Sequence, residues 1–251
     1  MPSLAINPDV LVATALAGTR TYAWMQVVPP FSGAYVPKSV RLGAALGVGL
    51  AISPRIAVTS VPSWPMLIAD LGAQVVIGAA FGLLISILIQ AATSAGDTLD
   101  LFGGLVLPQS LTPIGFPSST SLGKFYGLIT VALLVVTRGD LLLLRGFITT
   151  FDVIGPTFSS LVPLAHGAIS ATSTFFTATF EIAGPLLVVE FTIQAALGLV
   201  AKAAPNVNIF LFAFSVQSFA LILVLAVGTS LLPEAVNRLV QDALSLEGQL
   251  L

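Results

Sequence analysis

Reactive and charged side chains are what this chain has least of. It contains no cysteine and a single histidine, His166. The first absence excludes a disulfide framework, a thiolate metal site and a cysteine nucleophile, and the second excludes a histidine-based metal cluster. Only 8 % of the 251 residues are charged, nine Lys/Arg against eleven Asp/Glu, where soluble domains run near a quarter. So few charges cannot cover the surface of a soluble fold of this size. A net charge of −2 also leaves no basic patch for nucleic acid. There is no Gly-rich phosphate loop with its Lys and Ser/Thr, no helix with paired histidines and no Ser-His-Asp arrangement. A membrane-embedded hydrolase therefore lacks a nucleophile-base pair, and neither an enzyme, a metal nor a cofactor is expected. The N-terminus has no basic region and no small-residue cleavage site, so its first apolar run reads as part of the mature protein.

What is present is apolar: 56 % of residues are hydrophobic and the mean hydropathy is +1.03. The expectation is an all-α, polytopic integral membrane protein, one domain over residues 1–251, with roughly five to seven helical segments and no β-barrel alternation. The first segment, Val10 to Val28, is long enough to cross a bilayer, is interrupted by Arg20, and ends at Pro29-Pro30. A short run from Leu42 to Ser53 follows, in which Gly43 and Gly47 lie four apart, a spacing that lets another helix approach closely. The strongest span is Met66 to Ala95, broken only by Asp70, Gln74 and Gln90 and carrying a second small-residue pair, Gly78 and Gly82. Runs from Leu122 to Thr137 and Leu141 to Ile154 flank the turn Arg138-Gly139-Asp140. Ala168 to Ala201 reads as divided by Gly184-Pro185, and Val207 to Leu232 as a clean span ending at Pro233. The C-terminal remainder spaces Val236, Leu239, Val240, Ala243, Leu244 and Leu246 along one side and reads as a short amphipathic surface helix.

Ser94 to Lys124, between two of the most apolar segments, is rich in Gly, Pro, Ser and Thr. A loop of this length inside a compact protein is functional or disordered. Asp97 and Asp100 lie three apart, on one face if that piece is helical. They serve as an acid/base pair or cation site, or else mark the solvated end of the preceding helix. Glu181 and Glu190 are candidate carboxylates at bilayer depth, where an ionised side chain costs a few kcal/mol and usually has a partner; the alternative is that Glu181 lies outside the hydrocarbon and Glu190 pairs with a neighbouring subunit. Arg145, Arg138 and Lys202 are the candidate partners. On one straight helix nine positions would set the two glutamates on opposite faces. His166, beside Pro163 and Gly167, reads as a loop residue.

Three stretches, taken in order, resemble the flagellar biosynthetic protein FliR family and its counterparts in type III secretion injectisomes. They are PPFSGAYVPKSVRLGAALGVGLAISP at 29–54, QVVIGAAFGLLISILIQAATSAGDTLDLFGG at 74–104, and ALGLVAKAAPNVNIFLFAFSVQ at 196–217. The resemblance implies a helical subunit of an export gate in the bacterial inner membrane, at the basal body of a flagellum or injectisome. It implies assembly with P and Q subunits in a spiral, contact with the B subunit, and passage of unfolded protein substrates. It also implies a pore plug on residues from about Leu105 to Ser121. In that stretch Leu105, Val106, Leu107 and Leu111 would exclude water, Ile114 and Phe116 would belong to the same plug loop, and Pro108 and Pro113 would stiffen the backbone, while Gly96, Gly103 and Gly104 before it would form a hinge. Two departures from the family pattern are Asp97, where Glu is frequent, and Phe116-Pro117-Ser118, where an Asn-Met-Pro-like turn is frequent. The rival expectation from the residues alone is a small secondary transporter in which Glu181, Glu190 and Asp97 relay a cation or proton.

Overall fold

The computed structural model describes residues 8–32, 36–56, 63–103, 120–154, 162–203 and 209–250. These residues form seven α-helices and no strand: α1 (Pro8–Val27), α2 (Lys38–Ile52), α3 (Trp64–Phe102), α4 (Ser121–Val136), α5 (Gly139–Val153), α6 (Val162–Ala203) and α7 (Ile209–Leu250), with one 3-10 turn at Ser53–Arg55. Three stretches are long and apolar enough to cross a membrane, Trp64–Phe102, Ala165–Ala203 and Ser215–Gln249. A fourth is added if α4 and α5 count as one broken span, and α1 is not among them. The protein is all-α and polytopic.

The helices run further than glycine and proline content suggests. α3 continues through Gly96 to Phe102, so the Ser94–Lys124 stretch starts as helix. α6 passes through Gly184-Pro185 and α7 through Pro233, each as one 42-residue helix. An interior proline forfeits one backbone hydrogen bond and crowds the carbonyl four residues back, a cost of roughly 3 kcal/mol that neighbouring packing offsets. His166 accordingly lies in α6, not in a loop. The expected surface helix is the second half of α7, and its stripe of Val236, Leu239, Val240, Ala243 and Leu246 is buried. Between α4 and α5 the helix does stop, because Arg138 adopts a left-handed conformation (φ 58°).

The described residues gather into two compact units. The first holds α1, α2, α3 to Leu88, α5, α6 to Ser173 and α7 from Val240. Its core is aromatic: Trp24 stacks on Phe147 with centroids 4.7 Å apart, and Phe147 meets Phe151 edge to face at 5.4 Å. The backbones of α1 and α2 touch where Gly49 faces Gly18, since a Cβ on Gly49 would come within 2.9 Å of the Gly18 Cα. α3 crosses α1 at Gly78, which faces the Arg20 carbonyl, and at Gly82, which faces that of Trp24. Arg20, at the centre of this unit and 1 % exposed, donates from Nε to Gln74 Oε1 (2.6 Å) and from Nη2 to the Ile154 carbonyl (3.1 Å). Its guanidinium lies 4.4 Å from the centroid of Phe151.

The second unit holds α3 from Ile89, α4 to Leu134, α6 from Thr174 and α7 to Leu239. Its main core joins Ala95 and Leu99 of α3 to Leu122 and Tyr126 of α4, Ala183 and Leu186 of α6, and Leu221, Val224 and Leu232 of α7. A smaller cluster packs Ala91 and Ala92 against Ala178 and Leu239. Alanine and glycine at these contacts let helices approach closely, as apolar surroundings require when packing rather than water exclusion holds helices together.

Candidate functional site

Within the second unit the richest polar geometry lies where α3 ends and α4 begins. Thr120 caps α4: its carbonyl accepts the Lys124 amide at 2.9 Å, and its Oγ1 accepts the Gly123 amide at 3.2 Å. A helix start leaves four amide donors without an intrahelical partner, and α3 supplies acceptors for more of them. Asp97 Oδ1 accepts both the Thr120 amide (2.7 Å) and the Thr120 hydroxyl (2.8 Å). Asp100 Oδ2 accepts the Leu122 amide at 2.8 Å. Two carboxylates therefore sit at the positive end of the α4 dipole, where negative charge is stabilised. Glycine makes room for them, because a Cβ on Gly96 would come within 2.7 Å of the Leu122 carbonyl and one on Gly123 would overlap the Asp97 carboxylate. Asp100 is 1 % exposed, and its Oδ1 has no hydrogen-bond partner among the described residues.

The plug candidates Leu105, Val106, Leu107, Pro108, Leu111, Pro113, Ile114 and Phe116, with Gly104 of the hinge, lie outside the described residues. Gly96 is inside α3, and Gly103 directly follows it, beside Leu221. Of the helix-packing glycines, Gly78 and Gly82 face α1, whereas a Cβ on Gly43 or Gly47 would meet nothing within 4 Å. The contact of α2 with α1 is made instead at Gly49 and Gly18, a pair that sequence reasoning passed over because the two are far apart in the chain. Thr120 was missed as well, although a Thr before an apolar run is a helix-start signal. Arg20 and Gln74 were seen only as interruptions of apolar runs; each is polar where it should not be, and each is the other's partner.

Glu181 is exposed, while Glu190 is 0 % exposed. Neither Glu190 oxygen has a hydrogen-bond partner among the described residues. Arg145, Arg138 and Lys202 are exposed. The described carboxylates form no group of three or more able to hold a metal ion. Asp97 accepts from Thr120, and of the other two carboxylates of the proposed relay Glu181 is exposed and Glu190 buried. Burying an unpartnered carboxylate is costly, and an amide of the same shape costs less. Glu190→Gln is thus expected to keep or raise the thermal midpoint of the purified protein; a clear fall in a thermal scan would show that the carboxylate itself is required.

Residues 11–243 match the family described as "Bacterial export proteins, family 1". That match covers all three resembling stretches and every described element of both units except the extreme ends. The chain belongs to this family. It is 29 % identical over 215 residues to the flagellar biosynthetic protein FliR of Escherichia coli (strain K12), covering 85 % of this chain and 80 % of the relative. It is 26 % identical over 220 residues to FliR of Caulobacter vibrioides, with 85 % and 86 % covered. Against FliR of Bacillus subtilis (strain 168) the figures are 25 % over 212 residues, with 80 % of each chain covered. Membership in the FliR family gives the long apolar helices a setting: a bacterial export protein embedded in a membrane.

Proposed function

We propose that this chain is a structural and gating subunit of the flagellar type III protein-export gate, a non-enzymatic part of an inner-membrane channel for unfolded proteins. The observation that carries the reading is the match to bacterial export proteins along residues 11–243. The flagellar assignment over an injectisome follows the names of the relatives. The architecture agrees in chemistry. The exposed surface is dominated by large apolar side chains such as Leu42, Leu46 and Leu50 of α2 and Phe180, Val188 and Phe191 of α6. A subunit enclosed by lipid and by P, Q and B subunits can present such a surface to both.

In this reading residues from about Leu105 to Ser121 supply the plug of the closed channel, with Leu105, Val106, Leu107 and Leu111 excluding water and Pro108 and Pro113 limiting backbone excursions. Replacing Leu105 to Ser119 with a short Gly/Ser linker is expected to leave assembly intact and let closed gates pass ions. The measurement is ion flux through assembled complexes in liposomes, and flux equal to the parent would sink the plug. Affinity purification from the native host separates this reading from the transporter. A gate subunit brings other small membrane proteins with it and is unstable without them, whereas a transporter purifies stable and active as a monomer or homo-oligomer.

A further inference from the structure

We propose that α6 and α7 meet lipid acyl chains over one defined belt, residues 182–201 of α6 and the facing part of α7, and that both helices run on past the headgroups at the Glu181 and Glu234 end. The occupant assigned to this belt is lipid, not a partner subunit. The assignment needs only the membrane setting of the chain, so it stands or falls apart from the export-gate reading.

Length poses the question. α6 has 42 residues, about 63 Å at 1.5 Å per residue, against a hydrocarbon core of ~30 Å, so much of it must lie outside the core. Contacts within the second unit fix which part. A Cβ on Gly228 would come within 2.7 Å of Leu186 Cδ1, and Ala178 shares a cluster with Leu239. The two helices are therefore antiparallel, in a register that sets Glu181 level with Glu234. Thr179 Oγ1 donates to the Ala91 carbonyl at 3.4 Å, and Gly127 lies beside Thr93. That brings α4 to the same height, with Lys124 one turn away. Glu181, Glu234, Arg238 and Lys124 are all exposed, a collar of charge on three helices at one level. The next exposed charge along α6 is Lys202, about 32 Å further by helical rise, which matches the thickness of the hydrocarbon.

Between these levels the outer surface has the chemistry of a lipid contact. α6 exposes Val188, Val189, Phe191 and Leu199, and α7 exposes Phe219, Ile222, Leu223, Val227 and Leu231. The exposed hydroxyls there are satisfied by their own helix, Thr192 Oγ1 by the Val188 carbonyl at 2.7 Å and Ser230 Oγ by that of Val227 at 2.6 Å, as an environment without water demands. Glu190, the one charged residue of 182–201, is 0 % exposed. The carbonyl that Pro185 leaves without a helical donor is that of Glu181, at the height where headgroups and water can supply one. Beyond the collar the surface is mixed, with Phe176 and Leu128 exposed beside Thr177, Asn237 and Arg238.

The test uses the protein with whatever co-purifies from the native host, reconstituted in vesicles of phosphatidylethanolamine and phosphatidylglycerol. The chain has no cysteine, so Val188→Cys, Phe191→Cys, Leu199→Cys, Ile222→Cys and Val227→Cys in the belt, and Asn237→Cys beyond it, each place one nitroxide on it, with the parent complex as background. Power-saturation electron paramagnetic resonance then compares collisions with oxygen, which concentrates among acyl chains, and with a nickel chelate, which stays in water. Oxygen collisions are expected to exceed nickel collisions several-fold at the five belt sites, most of all at Phe191 and Ile222 near mid-depth, and Asn237 is expected to show the reverse. Slow collisions with both reagents in the belt would mean that protein covers it, and they overturn the lipid assignment. Dominant nickel collisions would mean a water-lined face and overturn it equally. An oxygen preference that persists at Asn237 overturns the level. Where a belt cysteine prevents accumulation, Val189 or Leu223, exposed on the same belt, takes its place. The export-gate reading fails by a different result, a chain that purifies stable and alone, and the belt is then read on that form.

Discussion

Gly78→Ala is expected to cost at least about 2 kcal/mol of stability, in the range of overpacking a tight contact, and Gly78→Leu to abolish accumulation of folded protein. The added Cβ would overlap the Arg20 carbonyl and come within 3.2 Å of the Ala23 Cβ. A carbonyl in the middle of α1 cannot turn aside as a flexible side chain can, so relief requires α1 and α3 to separate. Separation would pull Gln74, one turn earlier on the same face of α3, away from Arg20. Gly82→Ala is expected to cost less, because its Cβ would sit 3.1 Å from the Trp24 carbonyl and 3.1 Å from the Val27 Cβ, a fit that shifts of a few tenths of an ångström relieve. Gly72, on the same helix, has nothing within 4 Å of its Cβ position, nor have Gly43 and Gly47. Alanine at these three is expected to be neutral or to stabilise by up to ~1 kcal/mol through lower backbone entropy in the unfolded chain. Thermal or denaturant unfolding in detergent checks the ranking, and equal effects at Gly72 and Gly78 would remove the α1–α3 contact from consideration.

The same glycines show what the sequence made legible. Small-residue spacing located Gly78 and Gly82, and it also selected Gly43 and Gly47, which face open space in this chain. Spacing marks a bare stripe on a helix but not what lies opposite, and the opposite surface comes from residues distant in sequence. Hydropathy placed the apolar segments well. Its weakness was at the ends, where Gly96, Gly184, Pro185 and Pro233 signal a stop by propensity and yet lie inside helices. Packing overrides propensity when the residue is needed for approach, as at Gly96 against Leu122 and Gly123.

The site was legible in its residues and not in its pairing. Asp97 and Asp100 stood out as carboxylates beside an apolar span, and read alone they suggested a solvated helix end or a cation site. Their donors at Thr120 and Leu122 lie on the far side of the 104–119 connection, and no periodicity links the two. Glu181 and Glu190 fell on opposite sides as nine positions of continuous helix dictate, one exposed and one buried. The Gly184-Pro185 pair had made that reading conditional on helix continuity, which α6 provides.

Arg20→Met is expected to cost roughly 3–5 kcal/mol, the scale of breaking a buried charged network by removing one partner. Arg20 joins three helices: Nε donates to Gln74 on α3, while Nη1 and Nη2 reach the carbonyls of Thr150 and Ile154 at the end of α5, at 3.4 and 3.1 Å. Those carbonyls form the negative end of the α5 dipole, so the guanidinium supplies charge as well as donors. Thr150 O already accepts the Ile154 amide at 2.9 Å, so the loss falls mainly on Gln74 and on the Ile154 carbonyl. Arg20→Lys is expected to recover less than half of the cost. A single ammonium has no planar fork to engage a side-chain amide and two carbonyls at once, and it stacks less well on Phe151. The decisive measurement is a double-mutant cycle with Gln74→Leu. If the Arg20–Gln74 bond is the main link between α1 and α3, the pair of substitutions destabilises by less than the sum of the single ones, because the bond between them is lost once and not twice. Strict additivity would show that Arg20 and Gln74 are not coupled. The exposed Arg55–Asp152 pair at 3.2 Å also joins the end of α5 to the N-terminal part of the chain, and its removal is expected to cost under ~1 kcal/mol, as solvent-exposed ion pairs do. Of the two arginines at that helix end, the buried one holds the unit together.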